Sequence, residues 1–388
     1  MNTAIMRRVL WREFKLRISP ALVLFFLAPA IGELLSGSSP PVEFFNPFVL
    51  LLLSSLYGSG ALIVRELKVR WNKGYVSMFI LGAAYGIIEE GLMVKSFFDP
   101  DWMDLGILGV YGRWRDVNWV WAEWLTIYHA TFSIAIPITL VELAFPDRRS
   151  ESWIGSKKLA GLAVLLAAVT ALGYSGLTAY KPPLLQYMLA FAVVVVLLFL
   201  AWRMPSNIGK RGRKGPLKPS RMALIGFLVA TSLFFLFMAG AYIVPQPPVL
   251  MMIGMALVVG IFDFLRRLKW DAGTLCHKLA LSAGAVSFLI VLSPTQEFDT
   301  SRLDNPRGML IVGIVALALL ILLRRRLRLY MAGEEAERRK LPPAMAEWIS
   351  FCPNCGHKVT PEADYCPNCG KRLEPSHQQS GPQFFSKV

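Results

Sequence analysis

The sequence predicts an all-α polytopic membrane protein of about ten transmembrane helices, followed by a small C-terminal β domain pinned by four cysteines. Three observations predict it. The 388 residues are 55% hydrophobic and only 17% charged, whereas a soluble chain carries about 25% charged residues. Ten apolar stretches reach or approach the length a helix needs to cross hydrocarbon, about 20 residues. Four of the five cysteines lie beyond residue 350, in two Cys-x-x-Cys pairs.

The apolar stretches run over 19–36, 47–64, 75–97, 119–145, 159–180, 184–202, 222–243, 248–265, 279–293 and 308–323. The ninth is short for a bilayer crossing. Before them, residues 1–18 mix Arg and Lys with Ile, Val, Leu, Trp and Phe, the composition of an amphipathic helix lying in the inner interface. The basic start followed by Ala21–Ile31 also resembles a signal peptide. Gly32-Glu33-Leu34-Leu35 offers no small-x-small cleavage site, so a retained anchor is expected. After the tenth stretch, 324–350 reads as a charged, helix-prone linker, 351–373 as the cysteine domain and 374–388 as a disordered tail.

Lysine and arginine supply an independent check, because loops on the cytosolic side retain positive charge. With the N-terminus inside, the inner segments carry 28 Lys and Arg residues, from the five at Arg7–Arg17 to the four at Arg324–Arg328. The outer loops carry five: Arg113, Arg115, Lys181, Arg302 and Arg307. Omitting one helix would invert every later loop, so both termini are expected in the cytosol, in a prokaryotic plasma membrane. The net charge of +15 is accounted for by this alternation, with no basic face gathered on one domain. Nucleic acid is therefore disfavoured as a partner and the lipid bilayer favoured.

Two connections stand out. The loop 203–221 is basic and rich in Gly and Pro, suited to anchoring topology or attracting anionic headgroups. The loop 98–118 holds Asp99, Asp101, Asp104 and Asp116 with Trp102 and Trp114, and leads into Trp119, Trp121 and Trp124. It reads equally as a lid over a site beneath and as an aromatic belt.

Cys352 and Cys355 form one Cys-x-x-Cys pair, and Cys366 and Cys369 the other, ten residues on. A tight turn lets two such thiolates chelate one ion, and Gly356 and Gly370 allow the backbone that turn needs. Two knuckles complete a tetrahedral four-sulfur site that selects Zn²⁺. About 25 residues cannot bury a core, so the metal must supply the folding free energy. With every position filled by sulfur the single ion is structural. The repeated Cys-Pro-Asn-Cys-Gly strongly resembles the small β zinc ribbons appended to many prokaryotic proteins, which implies docking to a cytosolic protein partner or to the chain's own loops.

Ionisable residues at bilayer depth are costly and mark functional candidates. The third stretch carries Glu89 and Glu90 side by side, and at 100° per residue Gly82, Gly86 and Glu89 share a face. A small-xxx-small pair lets another helix approach closely. The fourth carries His129 at a similar depth, flanked by Thr126 and Ser133, with Pro137 one turn further and Glu142 on the opposite face. Consecutive helices are usually neighbours, so Glu89 or Glu90 is expected to meet His129.

The run Gly-Ala-Ala-Tyr-Gly-Ile-Ile-Glu-Glu-Gly, with a histidine on the next helix, resembles the CPBP group of intramembrane proteases (CAAX prenyl protease and bacteriocin-processing relatives). That resemblance implies a glutamate acting as base on a water and carries over to Glu89, Glu90 and His129 as catalytic positions. Three readings of the membrane domain remain: a scaffold or sensor whose ribbon recruits partners, a CPBP-like hydrolase, and a transporter relaying protons or a cation through Glu33, Glu89, Glu90 and His129.

Overall fold

The computed structural model describes residues 18–339, apart from 207, 209–214, 269, 271–273, 301 and 303, with side chains up to residue 333, and the backbone at 350–351 and 358–359. The N-terminal segment, the four ribbon cysteines and the tail at 374–388 lie outside the described residues.

Each of the ten apolar stretches is helical. In chain order the helices are α1 (Pro20–Leu35), α2 (Pro47–Arg70), α3 (Tyr75–Met93), α4 (Trp119–Ala144), α5 (Ser156–Gly176), α6 (Leu184–Arg203), α7 (Pro219–Tyr242), α8 (Pro247–Arg267), α9 (Leu275–Glu297) and α10 (Met309–Arg339). The eight from α2 to α9 are long and apolar enough to cross a bilayer, and α1 is apolar but shorter. Several start on proline, whose missing N–H is no loss in a first turn. Asn46 and Asn118 cap α2 and α4, accepting from the backbone N–H of Phe48 and Trp121, each at 3.0 Å.

Several boundaries differ from the sequence reading, three of them with a clear cause or consequence. The short ninth stretch is a 23-residue helix, because its polar end stays helical: Ser293 and Thr295 donate their hydroxyls back to the carbonyls of Ile290 and Leu292. Helix α3 stops at Met93, short of residue 97, because Lys95 adopts a left-handed backbone (φ 68°) and turns the chain back to bury Phe97 and Phe98. Helix α10 continues through the basic segment expected as linker, to Arg339.

Helices α3 and α4 are the most enclosed, whereas α5, α6 and α8 present most of their surface outward. One apolar core joins α1, α2, α3 and α4, through Leu24, Leu56, Leu81 and Ile138 among others. A second joins α1 and α4 to α7, α9 and α10 through Ile31, Phe132, Ala230, Leu289 and Leu327. Helix α4 therefore stands between the two groups.

Side-chain contacts sort the connections onto two faces. On one, Arg302 donates to Gly37 O at 2.7 Å, Gln296 to Ser36 O, and the Tyr111 hydroxyl to Val244 O at 2.7 Å. On the other, Arg65 donates to Arg149 O at 2.9 Å, Arg70 to Ile154 O at 2.6 Å and Lys73 to Met204 O at 2.6 Å. The described basic segments at 65–73 and 148–154 thus share the second face with the end of α6.

The loop 98–118 folds into a 3-10 turn (Gly106–Gly109) and a minimal hairpin, in which β1 (Arg113–Trp114) pairs antiparallel with β2 (Val117–Asn118). Leu105, Leu108 and Val117 are buried under it, with Trp121 and Trp124 at the top of α4, while Trp114 and Trp119 are exposed. The loop thus covers the helix ends with some of its aromatics and leaves others facing out. In the C-terminal region β3 (Ser350–Phe351) pairs antiparallel with β4 (Lys358–Val359), on either side of the first cysteine pair in the sequence.

Candidate functional site: four widened turns around His129

Among the described residues, π-helical turns occur at Ala30–Leu35 in α1, Ser54–Gly58 in α2, Ile87–Met93 in α3 and His129–Ala135 in α4. Such turns are rare and collect at functional sites, because the extra residue redirects side chains. Here the four turns carry Glu33, Tyr57, Glu89 with Glu90, and His129 with Ser133 respectively. These are the residues that form one buried polar cluster.

Close approach of α3 and α4 builds it. A Cβ on Gly82 would stand 2.9 Å from Ala130 Cα, and one on Gly86 would stand 3.0 Å from His129 Cβ. Only glycine leaves room for α4 there, so the small-residue face of α3 is the surface on which the histidine helix lies.

His129 is 2% exposed and Glu89 5%. The imidazole Nε2 is 3.0 Å from Glu90 Oε1, and Nδ1 is 3.0 Å from Ser133 Oγ and 3.1 Å from Glu89 Oε2. The Glu89 contact is off the line of the ring N–H, and Glu89 Oε2 has no hydrogen-bond partner. Glu90 is fixed at its other oxygen, which accepts from Ser96 Oγ, and Ser96 Oγ accepts from Trp121 Nε1 at 3.1 Å. Its side chain is 12% exposed, the most open of the three.

Glu33 brings a third carboxylate from α1. It accepts from the Tyr57 hydroxyl at Oε1 and from Ser39 Oγ at 3.1 Å at Oε2. The widened turn of α1 lies against α4: the Tyr128 hydroxyl donates to Gly32 O at 2.8 Å, and a Cβ on Gly32 would meet Ser133 Oγ at 2.9 Å. The rings of Tyr57 and Tyr85 lie 6.0 and 6.3 Å from that of His129. The buried Tyr85 hydroxyl and Glu89 Oε2 each lack a hydrogen bond of ordinary geometry, although Tyr85 faces the Glu89 carboxylate.

Chemically, the cluster holds three carboxylates and one imidazole, with no lysine or arginine paired to any carboxylate among the described residues. It can move protons between oxygen and nitrogen, and Glu89, Glu90 and His129 each bring one ligand atom within 4.8 Å of the others, which suits a cation.

The structure brings Glu89, Glu90 and His129 together and adds Glu33. It excludes Glu142, which pairs with Lys68 at 2.7 Å and Arg65 at 3.6 Å on the basic face. Lys95 stands apart too. Its Nζ donates to the carbonyls of Tyr174, Thr178 and Tyr180 at 2.8 to 3.1 Å, capping the end of α5. Burial, and then Lys181, holds that ammonium below the usual lysine range. Tyr57, Tyr85, Ser96 and Trp121 escaped the sequence reading. A signal for Tyr57 was present: Ser-Ser-Leu-Tyr-Gly-Ser-Gly interrupts an otherwise apolar stretch with small polar residues.

Residues 22–351 match an uncharacterized membrane protein family, and residues 351–373 match a zinc-ribbon domain. Neither match is to the CPBP group, so the comparisons do not show that resemblance. No curated protein and no solved structure matches the chain. The ribbon match agrees with the four-cysteine spacing and with zinc as the ion it takes. Since the first match spans most of the length, including all ten helices, the chain is a multi-pass membrane protein that belongs to this uncharacterized membrane protein family.

Proposed function

We propose that the membrane domain is an intramembrane hydrolase acting on an amide or ester bond of a membrane-embedded substrate, and that the zinc ribbon is its cytosolic docking module. The observation that supports the hydrolase is the placement of His129, with Nε2 3.0 Å from one glutamate and Nδ1 3.1 Å from the other. A single histidine–glutamate hydrogen bond would serve structure alone. Two carboxylates on one imidazole, with one carboxylate oxygen and one tyrosine hydroxyl lacking a hydrogen bond of ordinary geometry, supply an acceptor and donors in a dry space, the requirement of general acid–base chemistry. A carboxylate takes a proton from water, and the resulting hydroxide adds to the carbonyl carbon. The bond to the leaving nitrogen or oxygen then breaks, and the proton passes to that atom.

The four widened turns all lie in α1–α4, with none in the described residues of α5–α10. A transporter built from two related halves would carry a second set, so proton or cation transport is the weaker reading. The scaffold or sensor reading keeps one supporting feature, the ribbon itself, which has no place in hydrolysis and fits recruitment of a cytosolic partner.

The test is cleavage of a membrane-embedded reporter peptide by the purified chain in liposomes. Glu89→Gln and Glu90→Gln should each cut turnover by about 10²–10⁴-fold with the melting temperature unchanged; full turnover in both removes the hydrolase. Deleting 341–388 should release a cytosolic partner from the membrane domain. The same proteins co-purifying with and without the ribbon would remove the docking role.

A further inference from the structure

Three carboxylates and one histidine share the cluster, and the described residues offer no lysine or arginine to balance them. In a low-dielectric interior such groups are balanced by a shared proton or by a bound cation. The surroundings are arranged as they are around a metal. Glu89 Oε2 is buried without a hydrogen-bond partner although it lies 3.1 Å from an imidazole nitrogen. The His129 Nδ1 side is engaged by Ser133 Oγ at 3.0 Å, the outer contact that orients a ligating imidazole. Glu90 keeps one oxygen toward His129 while Ser96, itself held by Trp121, fixes the other.

We propose that Glu89, Glu90 and His129 bind one divalent first-row metal ion, each through one atom. Their ligand atoms already lie within 4.8 Å of one another. Glu90 faces Nε2 and Glu89 faces Nδ1, so a side-chain rotation that carries one carboxylate round the ring edge brings all three onto one ion at about 2.0–2.2 Å. Two carboxylates and an imidazole suit zinc, manganese or iron(II) and leave coordination positions open. The proposal deepens the hydrolase reading and rests on it for the metal's role, while binding stands independently. A bound ion would make its water acidic and polarise a carbonyl. Glu33, the carboxylate outside the ligand set, is left to take the proton of that water before it passes to the leaving atom.

The ribbon holds its own ion, so the test uses the full chain with Cys352, Cys355, Cys366 and Cys369 each replaced by serine. After loading with Zn²⁺ and desalting, this chain should retain about one ion, the occupancy of a single three-ligand site. Adding Glu90→Gln with His129→Ala should remove the ion, whereas adding Glu33→Gln should not. Cobalt loaded in place of zinc should show visible d–d bands without thiolate charge transfer, a readout that needs no activity. A chain without the four ribbon cysteines that retains no ion, or an ion that survives loss of Glu90 and His129 ligation in a variant of unchanged melting temperature, overturns the proposal. Reporter cleavage separates the two readings. Full turnover by metal-stripped chain overturns the metal's part in hydrolysis and leaves the hydrolase. A tightly held ion with no cleavage of any amide or ester reporter leaves the metal and overturns the hydrolase.

Discussion

Gly86 and His129 meet with no side chain between them: a Cβ on Gly86 would stand 3.0 Å from the Cβ of His129. The separation of α3 and α4, and with it the distance from Glu90 to the imidazole, is set by the absence of an atom. One turn earlier Gly82 faces Ala130 Cα, a backbone atom that cannot turn aside.

Gly82→Ala should therefore destabilise the membrane domain by about 1–3 kcal/mol through overpacking, read as a lower melting temperature in detergent. Gly161→Ala is the control. That glycine lies on α5 with nothing within 4 Å of the added carbon, and the change should be neutral or stabilising by about 0.5–1 kcal/mol. Equal melting temperatures for the two variants would show that the α3–α4 crossing is not tight.

On the basic face, Glu66 is fully buried beside Arg65, also fully buried and 2.7 Å away. It accepts from Arg70 at 3.3 Å and from the Trp153 backbone N–H at 2.8 Å, while the Arg65 guanidinium lies 3.6 Å over the Trp153 ring. Glu66→Ala leaves the buried guanidinium with Glu142 at 3.6 Å and the Arg149 carbonyl at 2.9 Å as its partners, and a loss of about 1.5–3 kcal/mol is expected for the charged hydrogen bond removed. Thermal unfolding followed by size-exclusion chromatography measures it, and a shift no larger than that of a surface variant such as Glu151→Ala would contradict this arrangement.

Acid should loosen the opposite face. Arg302 binds Asp304 through Nε at 2.6 Å and Gly37 O through Nη2 at 2.7 Å, and the Arg302 guanidinium holds the Asp304 carboxyl below the usual aspartate range. A carboxyl whose folded pKa is depressed contributes stability that is complete above its unfolded value, here 3.8, and lost as the pH falls through the folded one. Protection factors at 36–39 and 304–308, in which the pH dependence of intrinsic exchange is divided out, should be flat down to about pH 4 and fall below it. Asp304→Asn should give the faster exchange at every pH.

Chelation should separate the two parts of the chain. Zinc supplies the folding free energy of a four-cysteine ribbon, so Cys352→Ser should remove one zinc per chain and expose 351–373 to protease. The melting transition of the membrane domain should not move. A membrane domain that melts earlier without the ribbon's zinc would mean that the two share stability.

The positions of the helices were legible because hydropathy reports lipid exposure directly, and the alternation of Lys and Arg reports connectivity. The meeting of α3 with α4 was legible for a related reason: Gly82 and Gly86 can serve few purposes in a bilayer other than close approach. Glu33 entered only as a relay residue of the transporter reading and Tyr57 not at all, since their partner lies about 70–100 residues away and nothing local states which helices cross. Lys95 lies close to the glutamates in sequence. Its left-handed backbone sends it to the end of α5 instead, an outcome decided by one dihedral angle.

The widened turns carry a consequence for how such a cluster can arise or vanish. Each inserts one residue into a helix, so everything beyond it is rotated by about 100° relative to everything before. A chain with the same glutamates, tyrosine and histidine on uninterrupted helices would have an identical inventory and aim it in other directions. Loss of a single residue from any of the four turns, even an apolar one such as Leu56 or Ala130, would dismantle the site while sparing every polar atom in it. Deletions in these turns should thus be more damaging than substitutions, the reverse of what surface loops tolerate.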